Sequence, residues 1–315
     1  MFFRLKTTLA RSLFNLKCRH VLRTPAMPLA PGAGFAVLSQ IRHCDMLMYL
    51  LAIKSFSRQL APAAIHIIDD GTLTAADHAV LTRHLPGCTV HSLVRLALPH
   101  CPGGGTWERL IAISRLVRDS YVIQLDADTL TLDALPEIAA CIRDNRSFCI
   151  ATWDNQSPET MQERIEVARQ HAIGPRPHVQ LVAEAGMDAL SGFQTMHYIR
   201  GCSGFSGFAR GSFDPQRLDE LSRQMGEKIG ARWSDWGSEQ FMSNVIVANS
   251  DAPCVLPHPR YCDCSRYRPD EPAQAPAFVH FIGTCRFRKG HYARAAIGLI
   301  RRLHAIDDGH DAVPV

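Results

Sequence analysis

The sequence predicts an α/β fold: a single domain whose mostly parallel central sheet is flanked by helices. Three observations predict it. Short runs rich in β-formers alternate with helical patterns from Phe35 to Thr152. One of those runs, Tyr121–Leu125, ends on two carboxylates, Asp126 and Asp128. In open α/β sheets that edge is where ligands bind. The chain has 315 residues, 46% of them hydrophobic, which is enough core for one large domain or two small ones.

The elements follow in order. Residues 1–32 form an arm with six basic residues and no acid in its first 30 positions. Phe2, Leu5, Leu9, Leu13 and Leu16 recur at helical spacing, so the arm reads as a basic amphipathic helix. It would contact a membrane surface peripherally, dock on the domain or stay a leader. It lacks the apolar centre and cleavage site of a secretory signal, and no stretch is long enough to span a bilayer. The remainder holds 28 basic against 30 acidic residues, which argues against a nucleic-acid groove.

Pro25, Pro28, Pro31 and Gly32 separate the arm from a domain over 33–305. Phe35–Ser39 reads as a strand and Asp45–Gln59 as a buried helix. Ile65–Ile68 is a strand closed by Asp69-Asp70-Gly71. Thr74 caps a helix to about Leu85, and Thr89–Leu93 is a strand. Trp107–Asp119 is a helix with Thr106 as its N-cap. Tyr121–Leu125 is a strand, Pro136–Asn145 a helix and Phe148–Thr152 a strand. After Trp153 the pattern loosens into one helix, Pro158–Gln170, and a long irregular excursion of the kind that shapes binding loops. Regularity returns as a strand and glycine turn (His197–Ala209), a helix (Trp236–Ala248), a strand (Cys254–Pro257) and a last helix with an apolar face from Tyr292 to Leu303. Residues 306–315 read as a flexible tail.

The eleven cysteines form no CxxC pair. Cys141, Cys149, Cys202 and Cys285 sit among apolar or small residues and read as buried thiols of a reducing cytoplasm. Cys262 and Cys264, one residue apart, suit neither a zinc knuckle nor an easy disulfide.

Four segments join the acid pair. Asp69 and Asp70 could accept the N3–H of a uracil or hold a ribose hydroxyl, although an ordinary Asp-Gly turn looks the same. Gly103-Gly104-Gly105 leads to Arg109 near a helix start, where anions are favoured. Gly201, Gly204 and Gly207 recur every three residues, where glycine permits close backbone approach. His280 ends a late strand and opens a run of Gly283, Arg286, Arg288 and Lys289. Two carboxylates and an imidazole can hold Mn²⁺ or Mg²⁺, and the cations suit a diphosphate.

At these motifs the chain resembles glycosyltransferases of the GT-A fold, most closely those of family 8, which use nucleotide-sugar donors. Leu125-Asp126-Ala127-Asp128 is similar to the family's metal-binding Asp-x-Asp, with Arg109 standing 17 residues before it. Asp69-Asp70-Gly71 is similar to the base-binding element. Ser206-Gly207 resembles the sugar-contacting segment, with Phe205 where the family has asparagine. Glu239-Gln240 is similar to the pair beside the reacting sugar carbon. His280-Phe-Ile-Gly283 matches a late His-Phe-x-Gly, with Arg286 at a lysine position and Phe287-Arg288 in place of Pro-Trp.

The resemblance implies a Rossmann-like GT-A domain, with 33–153 the nucleotide-binding half and 154–305 the acceptor-binding half. Asp126, Asp128 and His280 would hold the metal. Asp69, Asp70, Arg109, Asp126, Ser206, Gly207, Gly283, Arg286 and Lys289 would hold the donor, and Glu239, Gln240 and Asp235 would serve catalysis. It implies hexose transfer from a UDP-sugar to a glycan or glycolipid acceptor, as in cell-surface polysaccharide biosynthesis, with retention of configuration. An inverting reaction would instead need Glu239 or Asp235 as base. A sugar-nucleotide pyrophosphorylase would need a glycine-rich loop after the first strand, where Ser39-Gln40-Ile41-Arg42-His43 stands. The remaining rival is a catalytically silent, membrane-associated module that binds sugar nucleotides.

Overall fold

The computed structural model describes residues 2–271 and 275–305. In chain order its first elements are α1 (Phe2–Cys18), β1 (Phe35–Ile41), α2 (Met46–Gln59), β2 (Ala64–Asp69), α3 (Ala75–His84), β3 (Thr89–Ser92), α4 (Trp107–Leu116) and β4 (Tyr121–Leu125). Then come β5 (Thr129–Thr131), α5 (Pro136–Arg143), β6 (Phe148–Ala151), β7 (Glu159–Thr160), α6 (Met161–His171), α7 (Val179–Ala185), β8 (His197–Tyr198) and β9 (Gly201–Phe208). The last are α8 (Pro215–Ile229), α9 (Ser238–Ala248), β10 (Cys254–Leu256), β11 (Tyr261–Asp263), β12 (Phe278–His280) and α10 (His291–Ala305). The expected tail, 306–315, lies outside the described residues.

Seven strands form the central sheet in the order β10-β6-β9-β4-β1-β2-β3. Its neighbours pair in parallel except β9, which runs antiparallel to both β4 and β6. The expected α/β fold with a mostly parallel sheet is therefore present. Cores lie on both faces. One gathers α1, α2, α3, α5 and α10, and the other gathers α4, α6, α7, α8 and α9. α2 shows why: Met46 to Ser57 is buried at every position but Leu47, so it has no solvated face. Its Ser55 hydroxyl accepts from the Thr131 amide at 3.0 Å and so pins β5.

Four expectations need correction. The glycine run is a central strand, β9, and not a turn, because its missing side chains make room for neighbouring ones. A Cβ on Gly201 would fall 2.6 Å from the Cys149 sulfur, and one on Gly207 would fall 2.3 Å from the Phe148 ring. Thr106 stands at the N-cap of α4 but is left-handed (φ 75°) and makes no side-chain cap. Cys264 and Cys285 form a disulfide. The parallel register of β11 and β12, Asp263 beside His280, brings these distant cysteines together. Cys285 is thus no free thiol, and Cys202 is only half-buried, whereas Cys141 and Cys149 are buried and free. Finally, β5, β11, α7 and α8 went unforeseen. α8 carries its burial on Leu218, Leu221 and Met225 within a strongly charged segment.

The arm docks, but not through its leucines. Phe14 is buried, its ring 4.4 Å from Tyr292 and 5.6 Å from Phe287, and Arg11 pairs with Asp45 at 2.6 Å. Leu9, Leu13 and Leu16 stay 62%, 53% and 57% exposed on the opposite side. The side chains of Phe2 and Leu5 lie outside the described ones. Among the described residues no helix is long and apolar enough to cross a membrane.

Candidate active site

The acid pair follows β4 at the carboxyl edge of the sheet. The Asp126 amide donates to the Gly204 carbonyl at 2.9 Å, and the Ser39 hydroxyl donates to the Leu125 carbonyl at 2.6 Å. These bonds fix where the chain leaves the strand. β5 then pairs antiparallel with β12, placing Thr129 opposite His280, and the Phe281 amide donates to the Asp128 carbonyl at 2.8 Å. A small three-stranded sheet, β11-β12-β5, thus delivers the histidine to the acids.

Side chains of Asp126, Asp128 and His280 meet. His280 Nε2 lies 3.1 Å from Asp128 Oδ1 and 3.6 Å from Asp126 Oδ2. One ligand atom from each falls within 4.8 Å of the others. Hard carboxylate oxygens with one imidazole nitrogen suit Mn²⁺ or Mg²⁺, so the residues present fit a divalent cation. Two guanidiniums neutralise the acids: Arg109 Nη1 donates to Asp126 Oδ1, and Arg286 Nη2 donates to Asp128 Oδ2. Arg109 Nη2 also donates to Glu239 Oε2 at 2.9 Å, and Thr106 donates to the same oxygen at 3.1 Å. Glu239 Oε1 is buried without a partner.

Electrostatics follow from this burial. Desolvation would lift the Asp128 carboxyl, but His280 and then Arg286 outweigh it and bring its pKa down to about 2. Desolvation would lower His280, yet the Cys202 sulfur, 3.2 Å from Nδ1, and the Asp128 carboxylate hold it well above its ordinary value. At Glu239 desolvation wins over the Arg109 pairing, so its pKa is raised.

Two adjoining cavities share this centre, of 310 Å³ and 600 Å³. Asp70, Arg109, Asp126, Asp128 and Arg286 line the first, together with Arg42 and Asp45. Glu239, Gln240 and Gly283 line the second, together with Trp236 and His178. The structure therefore brings together seven of the expected residues besides Asp126 and Asp128: Asp70, Arg109, Glu239, Gln240, His280, Gly283 and Arg286, whereas Asp69 lines neither cavity. Asp69 itself faces the Asp-Gly turn, accepting from the amides of Gly71 at 2.8 Å and Leu73 at 3.1 Å. Ser206 and Gly207 sit inside the sheet, with the Ser206 hydroxyl donating to the Cys202 carbonyl at 3.3 Å. Asp235 stands apart, paired with Arg232 at 3.1 Å and Arg176 at 3.5 Å. Lys289 lines a different cavity.

Sequence reasoning singled out Gly204 for close backbone approach to a ligand but not for its packing against His280, where a Cβ would fall 2.0 Å from Cε1. It missed Cys202 behind the histidine and Ser203, whose hydroxyl accepts from Arg109 at 3.3 Å. The three-residue glycine spacing carried the signal, but only the register shows which glycine faces the ring. It also missed Trp236, 71% exposed at the mouth of both cavities.

No family model and no curated protein matches the chain. Solved structures resemble it weakly. Galactosyltransferase LgtC, in complex with donor and acceptor sugar analogs, is 13% identical over 89% of this chain and 98% of its own, with a TM-score of 0.45. Mouse xyloside xylosyltransferase 1 is 14% identical over 80% and 98%, with a TM-score of 0.45. The mannosyltransferase Ktr4p of S. cerevisiae is 9% identical over 76% of each chain, with a TM-score of 0.40. Likenesses this low carry no function by themselves, which leaves the residues of the cleft to speak for it.

Proposed function

We propose that the chain is a metal-dependent glycosyltransferase of GT-A type, moving a hexose from a UDP-sugar to a glycan or glycolipid acceptor with retention of configuration. The observation that carries this reading is the convergence of Asp126, Asp128 and His280 within 4.8 Å in the lining of a cleft. Those three would hold the cation, which when bound supplies Lewis-acid stabilisation of a departing diphosphate. Arg286, already turned to Asp128, places positive charge where negative charge develops. Asp70, in the lining of the smaller cavity, would contact the nucleoside. Arg109 couples Asp126 to Glu239, whose Oε1, without a protein partner, would accept from a donor-sugar hydroxyl. Gln240 is held by Gln180 at 3.0 Å beside it.

Retention follows the resemblance of the motifs. Asp235 is tied to two arginines and lines neither cavity, which leaves Glu239, raised in pKa and with Oε1 unpartnered, as the carboxylate an inverting reaction would need as its base. The exposed Trp236 ring is suited to an acceptor sugar face. Exposed Leu9, Leu13 and Leu16 on a basic helix support peripheral membrane contact and a membrane-proximal acceptor.

The test is a panel of nucleotide sugars with Mn²⁺, read as release of free nucleoside diphosphate. UDP-hexose turnover is expected, abolished by EDTA. Absence of release from every donor would contradict the reading and favour a silent binding module.

A further inference from the structure

A third cavity, of 480 Å³, is lined by Phe281 and by residues from 264–271 and 285–294. The Cys264–Cys285 disulfide ties the two walls together. Four cations line it besides Arg286: Arg268, Arg288, Lys289 and Arg294. Among the described residues none of the four has a carboxylate within 4.0 Å. Asp270 and Glu271 are the acids of the lining, so the four cations exceed them by two charges.

Some of the cations are held without being neutralised. Arg268 Nη1 donates to the Ser265 and Tyr267 carbonyls at 2.8 and 3.2 Å. Arg294 Nη1 donates to the Lys289 carbonyl at 2.9 Å, and its Nη2 lies 2.8 Å from His291 Nδ1. Neutral carbonyls thus position guanidiniums whose charge stays available. Lys289 itself is left-handed (φ 53°), a costly conformation for a residue other than glycine. The lining also includes His291 and Arg294 in the first turn of α10, the positive end of that helix's dipole. His291 reports the positive field: burial, then Arg294 and Lys289, depress its pKa.

We propose that this stapled cavity binds a phosphate-bearing ligand, a phosphomonoester or a diphosphate, at a site separate from the acid-pair cleft. The surplus of two positive charges matches a phosphate dianion. The cavity shares only Arg286 with the cleft, so the proposal does not depend on glycosyl transfer.

The experiment is calorimetric titration of the full chain with inorganic pyrophosphate in EDTA, which removes divalent metal from the cleft. Binding is expected, weakened at least about 10-fold in an Arg268→Gln, Arg294→Gln double variant. It should be unchanged in Arg42→Gln, a cleft cation outside this cavity, and in Arg210→Gln, an exposed cation elsewhere. Unliganded melting temperatures of the variants establish that they fold. No binding by the wild type, equal binding by the double variant, or equal loss in Arg210→Gln would overturn the proposal. Co-sedimentation with phosphatidic acid vesicles identifies the source. With α1 intact in both proteins, a weaker vesicle affinity in the double variant than in the wild type marks a lipid headgroup, and an equal affinity marks a soluble phosphate.

Discussion

At Gly204 one absent methyl makes room for the ring of His280, a proposed metal ligand. An added Cβ would sit 2.0 Å from His280 Cε1, and the ring, fixed between Cys202 and Asp128, has nowhere to go. Gly204→Ala is therefore expected to cost about 1–3 kcal/mol of stability from overpacking and to weaken Mn²⁺ binding. Gly207→Ala meets Phe148 and Tyr121 instead. It should lower the melting temperature while leaving Mn²⁺ affinity in the folded fraction unchanged. Calorimetry with Mn²⁺ separates the two. Losing an outer partner of a metal ligand costs roughly 10–100-fold, so loss of a ligand itself, Asp128→Asn, should cost more than about 100-fold in turnover. Equal turnover would remove Asp128 from the site. The sequence offered these candidate ligands because an Asp-x-Asp at a strand end, a common turn by itself, was joined by a late strand-end histidine in a run of glycine and cations. It hid what Gly204 packs against, and hid Cys202 and Ser203, because three-residue glycine spacing fits a turn as well as a strand threaded between side chains. Only strand register tells them apart.

Among elements, the β2–β3 edge carries a pH liability. His66 Nδ1 lies 3.0 Å from His91 Nε2 across the parallel pairing. Burial, then His91, lowers His66 to about 4. Burial, then Lys54, lowers His84 to about 4. Between pH 4 and the ordinary histidine pKa of about 6.5, the unfolded chain binds more protons than the folded one. Stability from these groups is thus complete above about pH 6.5 and is lost as pH falls toward 4. The melting temperature should drop by several degrees over that window, and less so in His84→Gln. A flat profile in the wild type would contradict the assignment. Elements with strong local signals were readable: Tyr121–Leu125 has the bounds expected of it, and Thr74 caps α3 through a box with Asp77. β5 and β11 were not readable. Each is three residues long and exists because β12 pairs with it on both sides.

For the whole molecule, α1 joins two roles on opposite faces. Phe14 is buried against Tyr292 and Phe287, so Phe14→Ala should cost about 3–5 kcal/mol, read by chemical denaturation. Replacing Leu9, Leu13 and Leu16 with glutamine should leave stability unchanged and abolish sedimentation with anionic vesicles. Retained sedimentation would move the membrane face elsewhere. The hydrophobic stripe was legible in sequence, but not which side docks, because docking is chosen by the partner surface on α10. The chain order of motifs likewise announced an α/β sheet with a ligand edge, while the disulfide stayed hidden until two distant strands were set side by side.

The central claim, one cation gripped by three side chains, is tested most directly by crystals grown with Mn²⁺ and UDP and measured at the manganese absorption edge. The account predicts a single anomalous peak within about 2.0–2.3 Å of Asp126, Asp128 and His280, with the UDP diphosphate against it. A peak elsewhere, or UDP bound with no peak between those three residues, would contradict it.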